Sequence, residues 1–206
     1  MAQTDVIKFL GLQIDNHLNW KSHVKEIIPK LSRACYSLRT MKKICNLTTL
    51  KTIYFSYFHS IMTYGIAFWG NSSDSKDIFI LQKKAIRIIT GVKPRESCKN
   101  LFRKLQILPM PCEYILSLLL LVIKCHQFKI NSDIHSVNTR NKKNIHIPTS
   151  NLTCFQKGAY YMGAKMYNKL PLYIKSLSKD EKEFKKELKK YLLAHNFYSV
   201  DDYFSL

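Results

Sequence analysis

The sequence predicts a mainly α-helical protein, a helical bundle with a short β-strand or hairpin at its N-terminus. Apolar residues make up 46% of the 206 residues, enough to build a substantial core. Most of the chain carries apolar residues at three- and four-residue spacing, which is the period of an α-helix. Residues 6–14 instead alternate like a strand, with Val6, Leu10, Leu12 and Ile14 on one face.

The strand is followed by a turn and by the most clearly predicted helix. The turn has the sequence DNHLN, in which Asn19 is a plausible helix cap. An apolar stripe from Val24 to Met41 then predicts a helix over residues 20–43 with a basic opposite face. Pro29 lies inside this helix and should kink it or delay its regular start.

Four more helices are predicted before the chain becomes polar. The second helix, over residues 48–68, is apolar nearly all round, which predicts a position at the centre of the bundle. The third, over residues 76–90, ends at Gly91. Two further helices are predicted over residues 97–105 and 112–129.

Three regions follow from this pattern. Residues 1–19 are predicted to form a strand and turn, and residues 20–130 a helical bundle. Residues 131–206 are predicted to form a linker and a C-terminal helical region, because they open with a polar stretch containing NTRNKKN, a composition typical of loops.

The charge of the chain predicts an anionic partner. Lys and Arg number 33 against 14 acids, a formal net charge of +19. Such an excess is typical of proteins that contact nucleic acid or an anionic membrane surface. The N-terminus does not show the basic-then-apolar pattern of a secretory signal peptide. The apolar run at residues 114–123 has ten residues, about half the length of a membrane span, so we expect this run to form a buried core helix.

Six cysteines without a C-x-x-C pair predict free thiols in a reducing compartment. We therefore expect an intracellular protein, nuclear or cytoplasmic, rather than a secreted one. Zinc is an alternative use for Cys125, His126, His135, His146 and Cys154. Their spacing matches no compact zinc motif, which favours a structural role for each.

The opening segment KFLGLQIDNHLNWKSHV resembles the segment that closes the palm of reverse transcriptases from non-LTR (LINE-type) retrotransposons. The shared pattern is a K-[FY]-L-G strand, then D, L-x-W and H. Three later stretches resemble the region after the palm in jockey-like elements: LKTIYFSYFHSIMTYGIAFWGNS, LQKKAIRIITG and LPMPCEYI. NTRNKKNIHIPTSNLTCFQKGAYYMGAKMYNKLP resembles their C-terminal tail. This ordered series covers nearly the whole chain.

The resemblance implies a primer grip at FLG and a thumb-like bundle in the helices that follow, which clasps a template–primer duplex of RNA and DNA. In this family the carboxylates that bind two Mg²⁺ precede the primer grip, so they should lie upstream of Lys8. The resemblance therefore implies that this chain holds no catalytic residue, metal ligand or cofactor, and has no polymerase activity alone. Its expected partners are the template–primer and the missing fingers and palm of the same polyprotein, and the sheet partner of residues 6–14 should be absent.

The basic helix faces and the resemblance together predict the residues that contact nucleic acid. Trp20 is the best candidate for stacking on a base, and Lys21 lies beside it. The lysines and arginines at the ends of the first and third helices are candidates for phosphate contacts. The full predicted set is Lys8, Gly11, Trp20, Lys21, Lys42, Lys43, Lys83, Lys84, Arg87, Lys93 and Arg95.

Three alternatives stand beside this interpretation. The first is catalytic: the SVDDYF stretch superficially resembles the x-x-D-D box of polymerases. However, only four residues follow Asp202, and no third carboxylate is placed to complete a site for two metal ions. We therefore expect this stretch to be a solvated tail. The other two are functions without a polymerase role: a peripheral binder of anionic membranes, which needs an open amphipathic face, and a basic helical interaction protein derived from the element.

Overall fold

The computed structural model describes residues 6–125, 127–134 and 140–206. The described residues are mainly helical with one two-stranded sheet, which confirms the predicted fold class. The strands are β1 (Val6–Phe9) and β2 (Leu12–Asp15). The helices are α1 (Lys21–Met41), α2 (residues 47–63), α3 (Ile66–Trp69), α4 (Ser75–Thr90), α5 (Lys99–Leu105), α6 (Met110–Lys124), α7 (Thr153–Gln156), α8 (Ala159–Lys169), α9 (Leu172–Lys175), α10 (Glu181–His195) and α11 (Val200–Phe204).

Residues 6–14, expected to be a strand without its sheet partner, pair with their own continuation. β1 and β2 form an antiparallel hairpin in which Phe9 lies opposite Leu12. The two turn residues, Leu10 and Gly11, have φ values of 46° and 81°, the left-handed pair that matches the twist of a two-residue hairpin. The expectation of an unpaired strand is therefore wrong, because this turn reverses the chain where simple alternation predicted continuation.

Helix α1 is unbroken from Lys21 to Met41, so Pro29 neither interrupts it nor delays its start. Its predicted apolar stripe is buried. The Cys35 Sγ contacts the Leu81 carbonyl oxygen at 3.7 Å, and seven residues later Lys42 reaches Ile88. Because both contacts join residues 46 apart, α1 and α4 run parallel.

Helix α2 contains a π-helical segment, Tyr54–His59, between α-helical Leu47–Ile53 and Ser60–Thr63. The helix predicted over residues 48–68 ends at residue 63, because Gly65 takes a left-handed conformation and α3 begins after it. One face of α2 is buried, while aromatic residues on its other side are exposed. Its predicted position at the centre of the bundle is therefore wrong: the exposed aromatic residues are Phe55 (39%) and Tyr57 (38%).

The central helix is α6, which contacts α3, α4, α8 and α10 and is buried on nearly every side. It contains the apolar run at residues 114–123, which is buried as predicted. The C-terminal helices supply Met166, Phe184, Leu188 and Tyr203 to the same hydrophobic core as the bundle. Within the described residues no single helix is long and apolar enough to cross a bilayer; α5 and α6 reach that length and hydropathy only as a pair bent by 55°.

Candidate nucleic-acid interface

The parallel packing of α1 and α4 brings their C-terminal ends together. Helix dipoles place partial negative charge at both ends, which favours cations there. Four exposed cationic side chains lie near these ends: Lys43 follows α1, Lys93 and Arg95 lie in the loop after α4, and Lys84 lies on α4 about 9 Å before its last residue. None of them forms an ion pair with any residue that the structure describes. We call the surface that they form the cationic end; its exposed residues are Lys43, Lys84, Lys93 and Arg95.

Lys42 lies beside this surface but is used inside the fold. Its ammonium donates to the carbonyl oxygens of Ile88 at 2.6 Å and Ile89 at 3.2 Å. It thereby caps α4, at the point where Gly91 ends the helix with a φ of 81°. A Cβ on Gly91 would lie 2.6 Å from the Lys42 Nζ, so the glycine makes room for this cap. The Lys42 ammonium is thus half-buried and already hydrogen-bonded, unlike its neighbour Lys43.

Two other predicted residues also make contacts within the protein. The Lys83 ammonium lies 4.6 Å from the centre of the Phe79 ring, a cation–π geometry. The Arg87 Nε donates to the Glu96 carbonyl oxygen at 2.9 Å. This bond ties the loop after α4 to the helix, and the same loop holds Lys93 and Arg95 at the surface. Arg87 therefore positions Lys93 and Arg95.

The remaining predicted residues lie at the opposite end of α1, around the hairpin. Lys8 and Lys21 are exposed, Gly11 forms the hairpin turn, and Trp20 is half-buried at the N-terminus of α1. Helix α1 rises about 1.5 Å per residue over its 21 residues, so this group lies about 30 Å from the cationic end. The structure therefore divides the eleven predicted residues into two groups.

The hairpin is anchored to the helices by polar contacts. The Asp15 carboxylate accepts hydrogen bonds from the N–H groups of His17, Asn19 and Trp20, at 3.1, 3.0 and 2.9 Å. These bonds close the turn before α1. The N-cap residue of α1 is Trp20, and its side chain makes no capping hydrogen bond. The predicted cap, Asn19, lies one residue before the N-cap position, and its side chain accepts from the Lys21 N–H.

β2 also bonds directly to α1. The Gln13 amide donates to the Glu26 carboxylate at 2.8 Å, and the Gln13 N–H donates to the His23 Nδ1 at 3.4 Å. Lys30 donates to the same carboxylate at 2.6 Å. The hydrogen bonds from Lys30 and Gln13 lower the pKa of Glu26 to about 2. The Tyr64 hydroxyl also donates to the Leu10 carbonyl oxygen. These contacts show that the N-terminal hairpin is part of the folded structure.

The acidic pair near the C-terminus has a capping role. The Asp202 carboxylate accepts from the N–H groups of Tyr198 at 3.0 Å and Ser199 at 3.2 Å, and the Ser199 hydroxyl accepts from the Asp202 N–H in return. The hydrogen bond from the Ser199 side chain lowers the pKa of Asp202. The segment is not the solvated tail that we expected, since Tyr203 is buried and donates to the Met166 carbonyl oxygen.

The parts of the chain that the structure describes contain no group of three or more His, Cys, Asp or Glu residues arranged to hold a metal ion. Two residues of the zinc alternative, His126 and His135, lie outside the described residues.

A groove that the sequence did not predict lies beside the hairpin. Its first lobe, about 340 Å³, is lined by Trp20, Phe68, Asn71, Cys154 and Lys157, among others. It continues into a second lobe of about 630 Å³, which shares Asn71 and Lys157 with the first. The lining of the first lobe comes from three segments far apart in sequence, so only the fold brings these residues together. The nearest sequence signal was Trp20 itself.

No protein-family model matches the chain, and no solved structure matches it. The chain is similar to a probable RNA-directed DNA polymerase from transposon X-element of Drosophila melanogaster, with 32% identity over 96 residues. The match covers 44% of this chain and 11% of that protein. It supports a relation to the reverse transcriptases of non-LTR retrotransposons, in agreement with the sequence motifs.

Proposed function

We propose that this chain binds a template–primer duplex as a non-catalytic, thumb-like part of a non-LTR retrotransposon reverse transcriptase. The observation that carries the proposal is the cationic end, where two parallel helices and the loop after α4 present four exposed cations that form no ion pair among the described residues. The acid in that loop is Glu96, whose carboxylate accepts from the Lys93 backbone N–H at 3.4 Å. A polymerase directed by RNA handles both RNA and DNA strands, so a nucleic-acid partner is also consistent with the similarity to the transposon protein.

The cationic end offers phosphate contacts rather than base contacts. Lys43, Lys84, Lys93 and Arg95 are exposed, and Arg87 holds the loop that carries two of them. Phosphate contacts position a duplex without reading its sequence, so binding should be nearly independent of sequence. Each neutralised phosphate releases counterions, and contacts from these four cations give a slope of about −3 to −4 for log affinity against log salt concentration.

A fluorescence-anisotropy salt titration with an RNA–DNA hybrid tests this proposal. The double reversal Lys84→Glu and Lys93→Glu should weaken binding and reduce the magnitude of the slope by about 2. The matched control is Lys189→Glu with Lys190→Glu on α10, where Lys190 already pairs with Glu187 at 2.5 Å. A wild-type slope near zero, or equal losses from both double variants, would reject a localised duplex-binding surface.

We further propose that the chain has no polymerase activity alone and depends on fingers and palm regions of the same polyprotein. Asp201 and Asp202 lie in the first turn of a capped helix, which gives Asp202 a structural role. Primer extension on an RNA template with Mg²⁺ and dNTPs should stay at background. Extension that is abolished by Asp202→Ala would show the opposite.

The membrane alternative is tested in the same experiment. The apolar stripes of α1, α4 and α10 are buried in the core rather than open to lipid. Anionic vesicles should therefore compete weakly with the hybrid at equal salt. Tighter binding to vesicles than to the hybrid would favour a peripheral membrane protein over the proposed function.

A further inference from the structure

We propose that the groove beside the hairpin binds a short single strand of nucleic acid, separately from the duplex at the cationic end. This proposal goes beyond the duplex-binding function and does not depend on it. The groove combines the two features that single strands need: aromatic rings on which bases stack, and cations that follow the backbone.

The first lobe supplies the rings. Trp20 is half-buried in one wall, and Phe68 is 48% exposed at the same lobe. Asn71, with an amide that can donate and accept, lies near them in the lining. Ser72 lines both lobes, and its Oγ is buried without a hydrogen-bond partner in the described structure. The lobe therefore offers base stacking beside the Asn71 amide, which is suited to base edges, whereas the Ser72 Oγ lies below the surface of the lobe.

Cations line both lobes. Lys157 is exposed and shared by both lobes, while Lys76 and Lys165 line the second. The acid in this lining is Asp201, so cations outnumber acids there by three to one. The N-terminus of the 11-residue helix α8 also lines the first lobe. Its N-cap residue is Gly158, which has no side chain that could accept hydrogen bonds from the first N–H groups of the helix. These groups add a favourable field for phosphate to that of the lysines.

The shape of the groove selects a single strand over a duplex. In a duplex the bases are paired and stacked inside, and their faces are closed to protein rings; only an unpaired strand can present them. The lobe volumes of about 340 and 630 Å³ are those of sites for small ligands, so the groove holds a few flexible units rather than a convex duplex surface. Because every base has a π-face, binding should tolerate many sequences.

Tryptophan fluorescence gives a local readout of binding. The chain has two tryptophans, and Trp69 is fully buried with its indole N–H donating to the Tyr64 carbonyl oxygen at 2.9 Å. Quenching by oligo(dT) therefore reports on Trp20. The variant Trp20→Phe keeps a ring in the groove, so it should lose the quenching while retaining most of the affinity measured by anisotropy.

Paired substitutions separate the groove from the cationic end. Phe68→Ala and Lys157→Glu should each weaken oligo(dT) binding roughly tenfold and leave the RNA–DNA hybrid nearly unaffected. Lys84→Glu is the matched control and should weaken the hybrid while sparing the oligo(dT). Failure of the duplex proposal would appear in the hybrid titration alone, so the two proposals fail separately.

Cys154 provides a second measurement that does not need a substitution. This exposed thiol lies in the first lobe, so bound oligo(dT) should slow its alkylation by iodoacetamide several-fold. Absence of Trp20 quenching together with unprotected Cys154 would overturn the proposal. Loss of oligo(dT) affinity in Lys84→Glu but not in Lys157→Glu would also overturn it, since the strand would then bind the cationic end.

Discussion

Gln82 lies at the polar centre of the bundle, and its substitution should be among the most destabilising in the chain. The side chain is fully buried. Its amide donates to the Tyr54 hydroxyl and the Leu108 carbonyl oxygen, both at 2.9 Å, and its oxygen accepts from the Met110 N–H at 2.7 Å. One amide therefore joins α2, α4 and the start of α6.

The cost of Gln82→Met follows from the three groups that lose their partner. An unsatisfied buried donor or acceptor costs about 1–3 kcal/mol, and the methionine recovers part of this by burying apolar surface. We expect the free energy of unfolding to fall by about 3–5 kcal/mol. In a protein of this size about 1 kcal/mol corresponds to roughly 2–4 °C, so the midpoint should fall by about 6–20 °C.

Urea unfolding followed by circular dichroism at 222 nm measures this loss. The control is Lys84→Gln, an exposed substitution two residues further along α4, which should change the free energy of unfolding by less than about 0.5 kcal/mol. Adding Tyr54→Phe to Gln82→Met should cost less than the sum of the two single changes, because they share one hydrogen bond. A loss below about 1 kcal/mol for Gln82→Met would refute the reasoning.

Three further predictions concern the anchors of the fold. Lys42→Met removes the cap on α4 and should lower the free energy of unfolding by about 1–2 kcal/mol without changing the salt dependence of duplex binding, which separates Lys42 from Lys43. Removal of residues 1–15 should cost at least about 2 kcal/mol, because the hairpin packs on the helices; an unchanged thermal midpoint would show that it does not. Burial lowers the pKa of His23 in the folded protein below the ordinary value of 6.5. The neutral imidazole therefore contributes fully to stability above pH 6.5, and this contribution is lost as the pH falls through the lowered, folded-state pKa. In urea titrations, His23→Gln should make the free energy of unfolding depend less on pH between pH 7 and 5.

The elements that followed one simple period were predictable from the sequence. α1 begins and ends within two residues of its predicted bounds, because its stripe alone determines which face is buried. The position of α2 was not predictable in this way. When a helix is apolar on all sides, its sequence does not indicate which side faces solvent. In the structure the central helix is α6 rather than α2. The early end of α2 depended on the backbone of Gly65.

The site was predictable in composition but not in arrangement. Lys42 and Lys43 are equivalent as a sequence pattern, and only the approach of α4 shows that one is a cap and the other a free cation. Gln82 interrupts an apolar stripe, a signal that could have marked it as a buried polar residue. The groove gave no such signal, because Trp20, Phe68 and Lys157 come together only in the folded chain.

The parallel arrangement of α1 and α4 also sets an order of events during synthesis. Cys35 and Lys42 each meet partners that come 46 residues later, so the part of the α1 stripe that packs against α4 cannot be covered until α4 has been made. At about 5–20 residues per second, a ribosome needs roughly 2–9 s to add those residues. During that interval the nascent α1 exposes an apolar face, which is the kind of surface that chaperones bind. Aggregation during expression should therefore arise in the interval after α1 has been synthesised and before α4 has been synthesised.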